Sequence, residues 1–227
     1  MYYSHVTFGQ ILVRYKVPKD ILTSINSLYE ANAKNLYSAN RVLAGKIKKQ
    51  HALLYQDDIA NIKAHDVLPK NIKTWFLDIF SHYLSFSGHG HTDININSMW
   101  INEMESHEYN PVHVHTGKSP LGLSSVMILK LPSVTGKEYS YDEAPTNGKL
   151  IFLGSSTGHF SKVDYTPKVE VGDFYVFPYD LRHAVYPFSG TNEVRRTLAA
   201  NCDVTAKKQR PKMMEDKIST PYKEERK

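Results

Sequence analysis

Two histidines separated by a single residue mark the part of this chain whose side chains could do chemistry. They are His113 and His115, in the segment Tyr109-Asn-Pro-Val-His-Val-His-Thr-Gly117, just before an apolar, β-rich run. Because side chains alternate along an extended strand, both imidazole rings would point to one side of it. Imidazole is the commonest metal ligand, so the pair indicates part of a metal site.

A third ligand is available further along the chain. The segment Gly172-Asp-Phe-Tyr-Val-Phe-Pro-Tyr-Asp-Leu-Arg-His183 reads as an apolar strand, a proline that ends it, and a histidine just beyond. His113, His115 and His183 therefore form a candidate three-point site for a divalent metal ion. Beyond them, Arg195 and Thr197 fall on one face of another predicted strand, where together they could bind a carboxylate.

Several segments resemble the iron(II)- and 2-oxoglutarate-dependent oxygenases, especially prolyl-hydroxylase-like members and small ones carried by phages. The resemblance covers about residues 98–205, and the order and spacing of its segments are more specific than any one of them. In that family the pattern is His-x-Asp or His-x-Glu, a distant histidine, and an arginine followed two residues later by serine or threonine. The matching segments are Trp100–Met104, Asn110–His115, Ser124–Pro132, Gly148–Phe152, Gly172–Pro178, Leu181–Pro187 and Arg195–Thr197.

The resemblance implies a hydroxylase that uses Fe(II), 2-oxoglutarate and molecular oxygen and releases succinate and carbon dioxide. The three histidines would hold the iron, Arg195 would pair with the distal carboxylate of 2-oxoglutarate, and Thr197 would add a hydroxyl donor. Arg196 is the rival of Arg195, and the arginine-to-threonine spacing of the family favours Arg195. The substrate is open, with a protein side chain or a small molecule favoured over nucleic acid.

One departure from the family pattern concerns His115, which stands where a carboxylate is usual. A third neutral imidazole leaves the site more cationic than a carboxylate would. Three-histidine sites also occur in cupin-type thiol dioxygenases and zinc enzymes, an alternative that has no use for Arg195 with Thr197. A non-catalytic jelly-roll binding protein with a vestigial metal site is a further alternative.

A second histidine motif, His91-Thr-Asp93, is a literal His-x-Asp and competes with the first. Glycines at positions 88 and 90 indicate a flexible loop there. The residues that follow fit the strand that precedes the metal pair in the family, so we rank this motif second.

Short β-rich runs alternate with turn signals over the second half of the chain. That rhythm is typical of a jelly roll, also called a double-stranded β-helix. Residues 135–147 and 154–166 read as longer loops. The predicted strands are residues 94–104, 123–131, 149–153, 168–171, 173–177, 184–187 and 194–204.

The first part of the chain predicts helices that support one face of this β-core. Residues 6–17 read as a strand or strand pair, and three amphipathic segments follow at 21–29, 59–62 and 75–83, the first with Asp20 as a possible N-cap. We therefore predict a mainly β fold with flanking helices, as one domain over residues 1–206. Helical support lies mostly at 18–88, the β-core at about 94–205, and a basic polar tail at 207–227.

Composition agrees with a single globular domain: the chain has 227 residues, of which 41% are hydrophobic and 22% charged. Its one cysteine, Cys202, excludes an intramolecular disulfide and predicts a buried residue and a cytoplasmic setting, the host cytoplasm if a phage encodes the protein. We expect no membrane span and no signal peptide. The net charge of +5 lies largely in the tail, which we interpret as a solvated end rather than a nucleic-acid-binding segment.

Overall fold

Eleven strands and two α-helices make up the described part of the chain in the computed structural model, which covers residues 9–90, 92–137, 145–154, 158–159 and 163–206. The helices are α1 (Lys19–Asn32), which runs into a 3₁₀ turn at Ala33–Asn35, and α2 (Lys70–Phe86). The strands are β1 (Val13–Lys16), β2 (Lys49–Tyr55), β3 (His65–Asp66), β4 (Thr92–Met104), β5 (Asn110–His113), β6 (Gly122–Lys130), β7 (Leu150–Leu153), β8 (Asp164–Tyr165), β9 (Asp173–Pro178), β10 (Arg182–Val185) and β11 (Arg195–Ala206).

The strands form two antiparallel sheets that pack face to face. The large sheet has the order β1-β9-β6-β11-β4-β2-β3, and the small one the order β5-β10-β7-β8. One apolar core fills the space between them, with Val126, Tyr175 and Phe177 from the large sheet against Phe152 and Val185 from the small one. The mainly β jelly-roll fold predicted from the sequence is confirmed.

The two helices cover the outer face of the large sheet. Each buries residues at helical spacing, such as Ile21 and Ile25 in α1 and Phe76 and Phe80 in α2. The ring of Phe76 lies 5.2 Å, centroid to centroid, from that of Phe174 in the sheet. Burying one such phenylalanine stabilises the fold by about 2 kcal/mol, so this layer fixes the sheet that carries the site.

The alternation along β11 decides which side chains reach the space between the sheets. Leu198 and Ala200 belong to the core under the helices, whereas Arg195, Thr197 and Ala199 line a cavity on the opposite face. A period of two therefore separates the structural face of this strand from the face that carries the candidate site.

Three predictions for the first part of the chain need correction. Helix α1 begins after Pro18 rather than at an Asp20 cap, and Asp20 lies in its first turn, where a carboxylate complements the helix dipole. Residues 59–62 form a tight turn, because the backbones of Ile59 and Ile62 hydrogen-bond to each other in both directions. Within 6–17 only Val13–Lys16 is a strand, and residues 6–8 lie outside the described residues.

The predicted β-core needs two corrections. Residues 168–171 are not a strand, and β8 instead falls in the segment predicted as a loop at 154–166. The strand predicted at 184–187 is β10, which begins two residues earlier and so contains His183. β2, which the sequence analysis did not predict, pairs with β4 along the large sheet.

The predicted tail at 207–227 lies outside the described residues, and no helix that is described is long and apolar enough to span a membrane.

Candidate active site

The small sheet brings the three predicted histidines together. His113 is the last residue of β5 and lies directly opposite His183 of β10 in the strand register. His115 follows just beyond the end of β5, where its backbone N–H donates to the carbonyl of Tyr179 over 2.9 Å. The pair that is close in sequence and the histidine that is distant thus meet because β5 and β10 are neighbours.

The spacing of the imidazole nitrogens suits a single ion. One nitrogen from each ring lies within 4.8 Å of the others, and Nε2 of His115 is 3.2 Å from Nε2 of His183. Two nitrogens that each bind one ion at about 2.1 Å are about 3.0 Å apart at a right angle and about 3.4 Å apart at the tetrahedral angle. The His115–His183 distance falls between those values.

Backbone carbonyl groups orient two of the rings. Nδ1 of His113 lies 2.7 Å from the carbonyl oxygen of Pro111, and Nδ1 of His183 lies 2.9 Å from that of Leu181. A carbonyl can only accept, so each Nδ1 carries the proton and each Nε2 presents its lone pair to the centre of the cluster. This arrangement is typical of histidines that bind metals in proteins.

Burial keeps the imidazoles neutral. It lowers the pKa of His183 to about 3, and the nearby His113 adds to the effect. The pKa of His115 is held well below its usual range by burial and by its two histidine neighbours, and burial also lowers that of His113. A neutral ring is the form that can bind a metal ion.

Aromatic side chains form the walls around the histidines. The ring of Trp100 lies 6.0 Å from that of His115, and the ring of Phe177 lies 4.7 Å from that of His183 in an edge-to-face arrangement. Phe152 adds a third ring at 6.1 Å from His183. Apolar walls of this kind exclude water and strengthen electrostatic interactions inside the site.

Arg195 is a buried cation on the opposite wall of the same narrow cavity. It is 1% exposed, and its Nε and Nη2 atoms have no hydrogen-bond partner. No carboxylate among the described residues forms an ion pair with it. Burial lowers its pKa to about 10. An unpaired buried charge is costly, so this guanidinium is suited to an anionic ligand.

All five predicted site residues line this one narrow cavity between the sheets, since His113, His115 and His183 face Arg195 and Thr197 across it. Thr197 pairs in register with Asn102, whose Oδ1 accepts a hydrogen bond from Nε2 of Gln50 at 3.0 Å.

The rival residues of the sequence analysis lie elsewhere. Arg196 points to the helix side, where Glu103 and Glu30 accept hydrogen bonds from it at 2.9 Å each. Asp93 pairs with Thr205, which lies eight residues along β11 from Thr197 and so about 26 Å from it at about 3.3 Å per residue. His91 lies outside the described residues.

Comparison with known proteins addresses the same region. Residues 98–201 match a family model described as putative 2OG-Fe(II) oxygenase. This stretch contains all five predicted site residues, and the family uses Fe(II) and 2-oxoglutarate. No curated protein sequence matches the chain.

Solved structures of 2-oxoglutarate oxygenases share the fold at low sequence identity. An oxidoreductase of the 2OG-Fe(II) oxygenase family from Burkholderia pseudomallei is 16% identical, with a TM-score of 0.53 over 85% of this chain and 84% of that one. A prolyl-4-hydroxylase from Pseudomonas putida is 13% identical, with a TM-score of 0.52 over 87% and 94%. A prolyl hydroxylase from Trichoplax adhaerens, in complex with a peptide fragment, is 10% identical, with a TM-score of 0.51 over 86% and 83%.

Sequence reasoning missed two uncharged polar residues that line the cavities at the histidines. Asn110 lines the narrow cavity and also a larger one in front of the histidines, and Asn201 lines the larger one. A signal for Asn201 was available, because it lies in phase with Arg195 and Thr197 on the alternating face of β11. No comparable signal marks Asn110, because its partner in the register is the distant Val185.

Proposed function

We propose that this protein is an Fe(II)- and 2-oxoglutarate-dependent oxygenase that hydroxylates its substrate. The observation that supports this most directly is the buried, unpaired Arg195 guanidinium, which faces three neutral imidazoles across one narrow cavity. A cofactor that is chelating at one end and anionic at the other would satisfy both walls. 2-Oxoglutarate has this form, and it is the cosubstrate of the family that the region matches.

Each predicted residue has a distinct role in this proposal. His113, His115 and His183 would hold the iron through Nε2, because the Nδ1 protons of His113 and His183 are engaged by backbone carbonyls. Arg195 would bind the distal carboxylate of 2-oxoglutarate in a charge-assisted pair, and the neighbouring Thr197 would donate its hydroxyl. Imidazole suits iron as well as zinc, so the donor set fits the metal.

When bound, iron and 2-oxoglutarate supply the oxidation, in which a substrate C–H, 2-oxoglutarate and O₂ give a C–OH, succinate and carbon dioxide. The chain's own contribution is to orient the metal-binding histidines and to exclude water from the site. Trp100, Phe152 and Phe177 surround the histidines with apolar surface, and the carbonyls of Pro111 and Leu181 hold two rings in place.

A cupin-type three-histidine metalloenzyme, either a thiol dioxygenase or a zinc enzyme, is the second candidate. The all-imidazole cluster favours it, because His115 stands at the position where the oxygenase family usually has a carboxylate. Arg195 and Thr197 favour the oxygenase, since the second candidate assigns them no role.

We also propose a cytoplasmic setting, a single domain over residues 1–206 and kinship with phage-borne oxygenases. The first of these is supported by Cys202, which is fully buried with a free thiol whose pKa burial raises to about 12. A thiol of that kind is a core residue and is not poised to form a disulfide.

Anaerobic titration of the protein with Fe(II) and then 2-oxoglutarate tests the function. We expect the weak visible charge-transfer band of the iron-chelated cosubstrate to appear in the wild type and to be lost in His183→Ala. Asp93→Ala, which changes a carboxylate far from the cavity, serves as the matched control and should keep the band. Folded wild-type protein that shows no band at saturating concentrations, but binds zinc, would favour the second candidate.

A further inference from the structure

A cavity of about 450 Å³ opens beside the histidine cluster, where His113 and His115 form part of its wall and neither His183 nor Arg195 does. Its walls combine apolar side chains, among them Val42, Leu43 and Trp100, with several uncharged polar ones. A volume of this size is in the range of small-molecule sites. If the proposed function is correct, this is where the group to be oxidised would lie.

The charge of the cavity wall limits what can enter. Among the described residues that line it, the charged ones other than histidine are Asp57 and Lys118, which pair with each other at 2.8 Å. Both are more than half exposed, so they belong to the rim. Among the described residues, the interior of the cavity thus offers no free cationic side chain for a phosphate or carboxylate and no free anionic one for an ammonium group.

The polar part of the wall consists largely of carboxamides. Four of the described lining residues carry one, and they are Gln50, Asn97, Asn110 and Asn201. Gln50 is engaged with Asn102, and Nδ2 of Asn97 lies 3.1 Å from the hydroxyl of Tyr179. By contrast, Oδ1 of Asn110 and Oδ1 of Asn201 are buried without a hydrogen-bond partner.

Asn201 is the better defined of these two acceptors, because its residue is only 7% exposed. Its cross-strand neighbours do not satisfy it: the hydroxyl of Ser98 donates to Oδ1 of Asn97 at 2.8 Å, and the hydroxyl of Ser124 has no partner of its own. A buried acceptor left without a donor costs about 1–3 kcal/mol, so a ligand that supplies the donor gains affinity.

The position of Asn201 relative to the histidines suits a substrate contact. It lies two residues beyond Ala199, which pairs with Trp100, and the Trp100 ring adjoins His115. Two residues along a strand span about 7 Å. A hydrogen-bond donor held there would be a few bonds away from a carbon that faces the histidines.

We propose that the large cavity binds an uncharged group bearing an amide N–H, and that Asn201 is the residue that positions it through Oδ1. This rests on the proposed function for the chemistry that follows, but the binding itself does not require iron. The apolar wall would hold the body of the substrate. A primary carboxamide and a peptide amide both carry the N–H group that Asn201 would bind.

Saturation-transfer NMR on metal-free protein tests the proposal with four matched probes: hexanamide, methyl hexanoate, hexanoate and hexylammonium. We expect wild-type protein to bind hexanamide about 5-fold more tightly than the ester, the effect of one neutral hydrogen bond, and to disfavour hexylammonium. Hexanoate is measured on Arg195→Met protein, which lacks the competing cation, and should be disfavoured there. Asn201→Leu should abolish the preference for the amide over the ester. Asn201→Asp keeps the acceptor and adds a charge, so it should shift the preference to hexylammonium.

Two controls keep the outcomes distinct. Asn71→Leu removes an exposed carboxamide on α2 and should leave all four affinities unchanged. Far-UV circular dichroism shows that the variants are folded, and the charge-transfer band measured on the same variants reports on the proposed function separately. If hexanoate binds Arg195→Met protein as well as hexanamide does, or Asn201→Leu keeps the amide preference, the proposal is wrong whether or not the band forms.

Discussion

Two adjacent arginines on β11 occupy opposite environments. Arg196 faces α1, where its guanidinium bonds to Glu103 and Glu30 and lies 4.8 Å above the ring of Tyr29. Arg195 faces the gap between the sheets, is almost fully buried, and has two nitrogens without a hydrogen-bond partner. Within the described residues, Arg196 is therefore paired with carboxylates and Arg195 is not.

The difference shows which face of β11 can bind a ligand. A cation paired within the protein contributes to stability, whereas a buried cation without a partner costs stability until a ligand arrives. The helix side of β11 is therefore structural, and the cavity side is suited to an anion. Exchanging either arginine for an apolar residue of similar length should separate these roles.

The largest effect is expected for Arg195→Met. Without the guanidinium, the dissociation constant for 2-oxoglutarate should rise about 500-fold, since truncating one partner of a buried charge pair costs about 2–5 kcal/mol. Stability without ligand should stay the same or increase, because an unpaired buried charge is removed. Anaerobic titration of the charge-transfer band and urea denaturation measure the two quantities. A variant that loses stability but binds 2-oxoglutarate normally would contradict the assignment.

Arg196→Met is the reciprocal change and should act on stability. We expect a loss of about 3 kcal/mol in the free energy of unfolding, because Glu103 would remain as a largely buried carboxylate without its partner. In the folded variant the dissociation constant for 2-oxoglutarate should stay within about 2-fold of the wild type. Adding Glu103→Gln should restore part of the loss, and a double variant no more stable than Arg196→Met would argue against a pair.

His115 tests whether the third imidazole is a ligand. We expect His115→Ala to weaken iron binding by about 10-fold or more, and His115→Asp to keep iron and 2-oxoglutarate binding because it restores the usual ligand set of the family. Competition with a chromogenic chelator measures the affinity, and His82→Ala, at an exposed histidine, is the control. Unchanged iron affinity in His115→Ala would mean that this ring only lines the cavity.

The sequence carries some of this architecture more clearly than the rest. The alternating runs of the β-core and the helical spacing in α2 predict strands and a helix, because burial imposes a period of two or 3.6 on apolar residues. β2 escaped prediction because its first three residues, Lys49, Gln50 and His51, are polar and interrupt the pattern, and its strand form comes from pairing with β4. Residues 59–62 have apolar spacing but are too few to form a stable helix.

For the site, the sequence points to all five residues but not to their mutual contacts. The alternation along β11 places Arg195 and Arg196 on opposite faces of the strand. Which of the two arginines faces the cavity becomes known only when the fold shows which face the helices cover. The partners of Arg196 come from distant positions, as Glu30 lies in α1 and Glu103 in β4. That Arg195 lacks such a partner follows from the whole fold, and no local pattern encodes it. The roles of the five residues and the single-domain boundary at 206 stay predictions.

Asp173 is a second carboxylate that is paired with cations, as Glu103 is, and its contribution to stability should depend on pH. Asp173 at the start of β9 lies 2.6 Å from Nζ of Lys16 and 3.1 Å from Nε of Arg14. Burial opposes its ionisation, but Lys16, the backbone N–H of Glu170 and Arg14 more than offset this and hold its pKa below the usual range.

A carboxyl whose pKa is lower in the folded state than in the unfolded one stabilises the fold above its unfolded pKa, near 3.9, and this contribution is lost as the pH falls through the folded value. We therefore expect Asp173→Asn to lower the free energy of unfolding by about 1 kcal/mol at pH 7, less than for a fully buried pair because Arg14 and Lys16 are partly exposed to solvent. The difference from the wild type should be constant above about pH 5 and shrink in more acidic solution. Urea denaturation at a series of pH values measures it. A difference that grows on acidification would mean that Asp173 is protonated in the folded protein and that its cations do not pair with it.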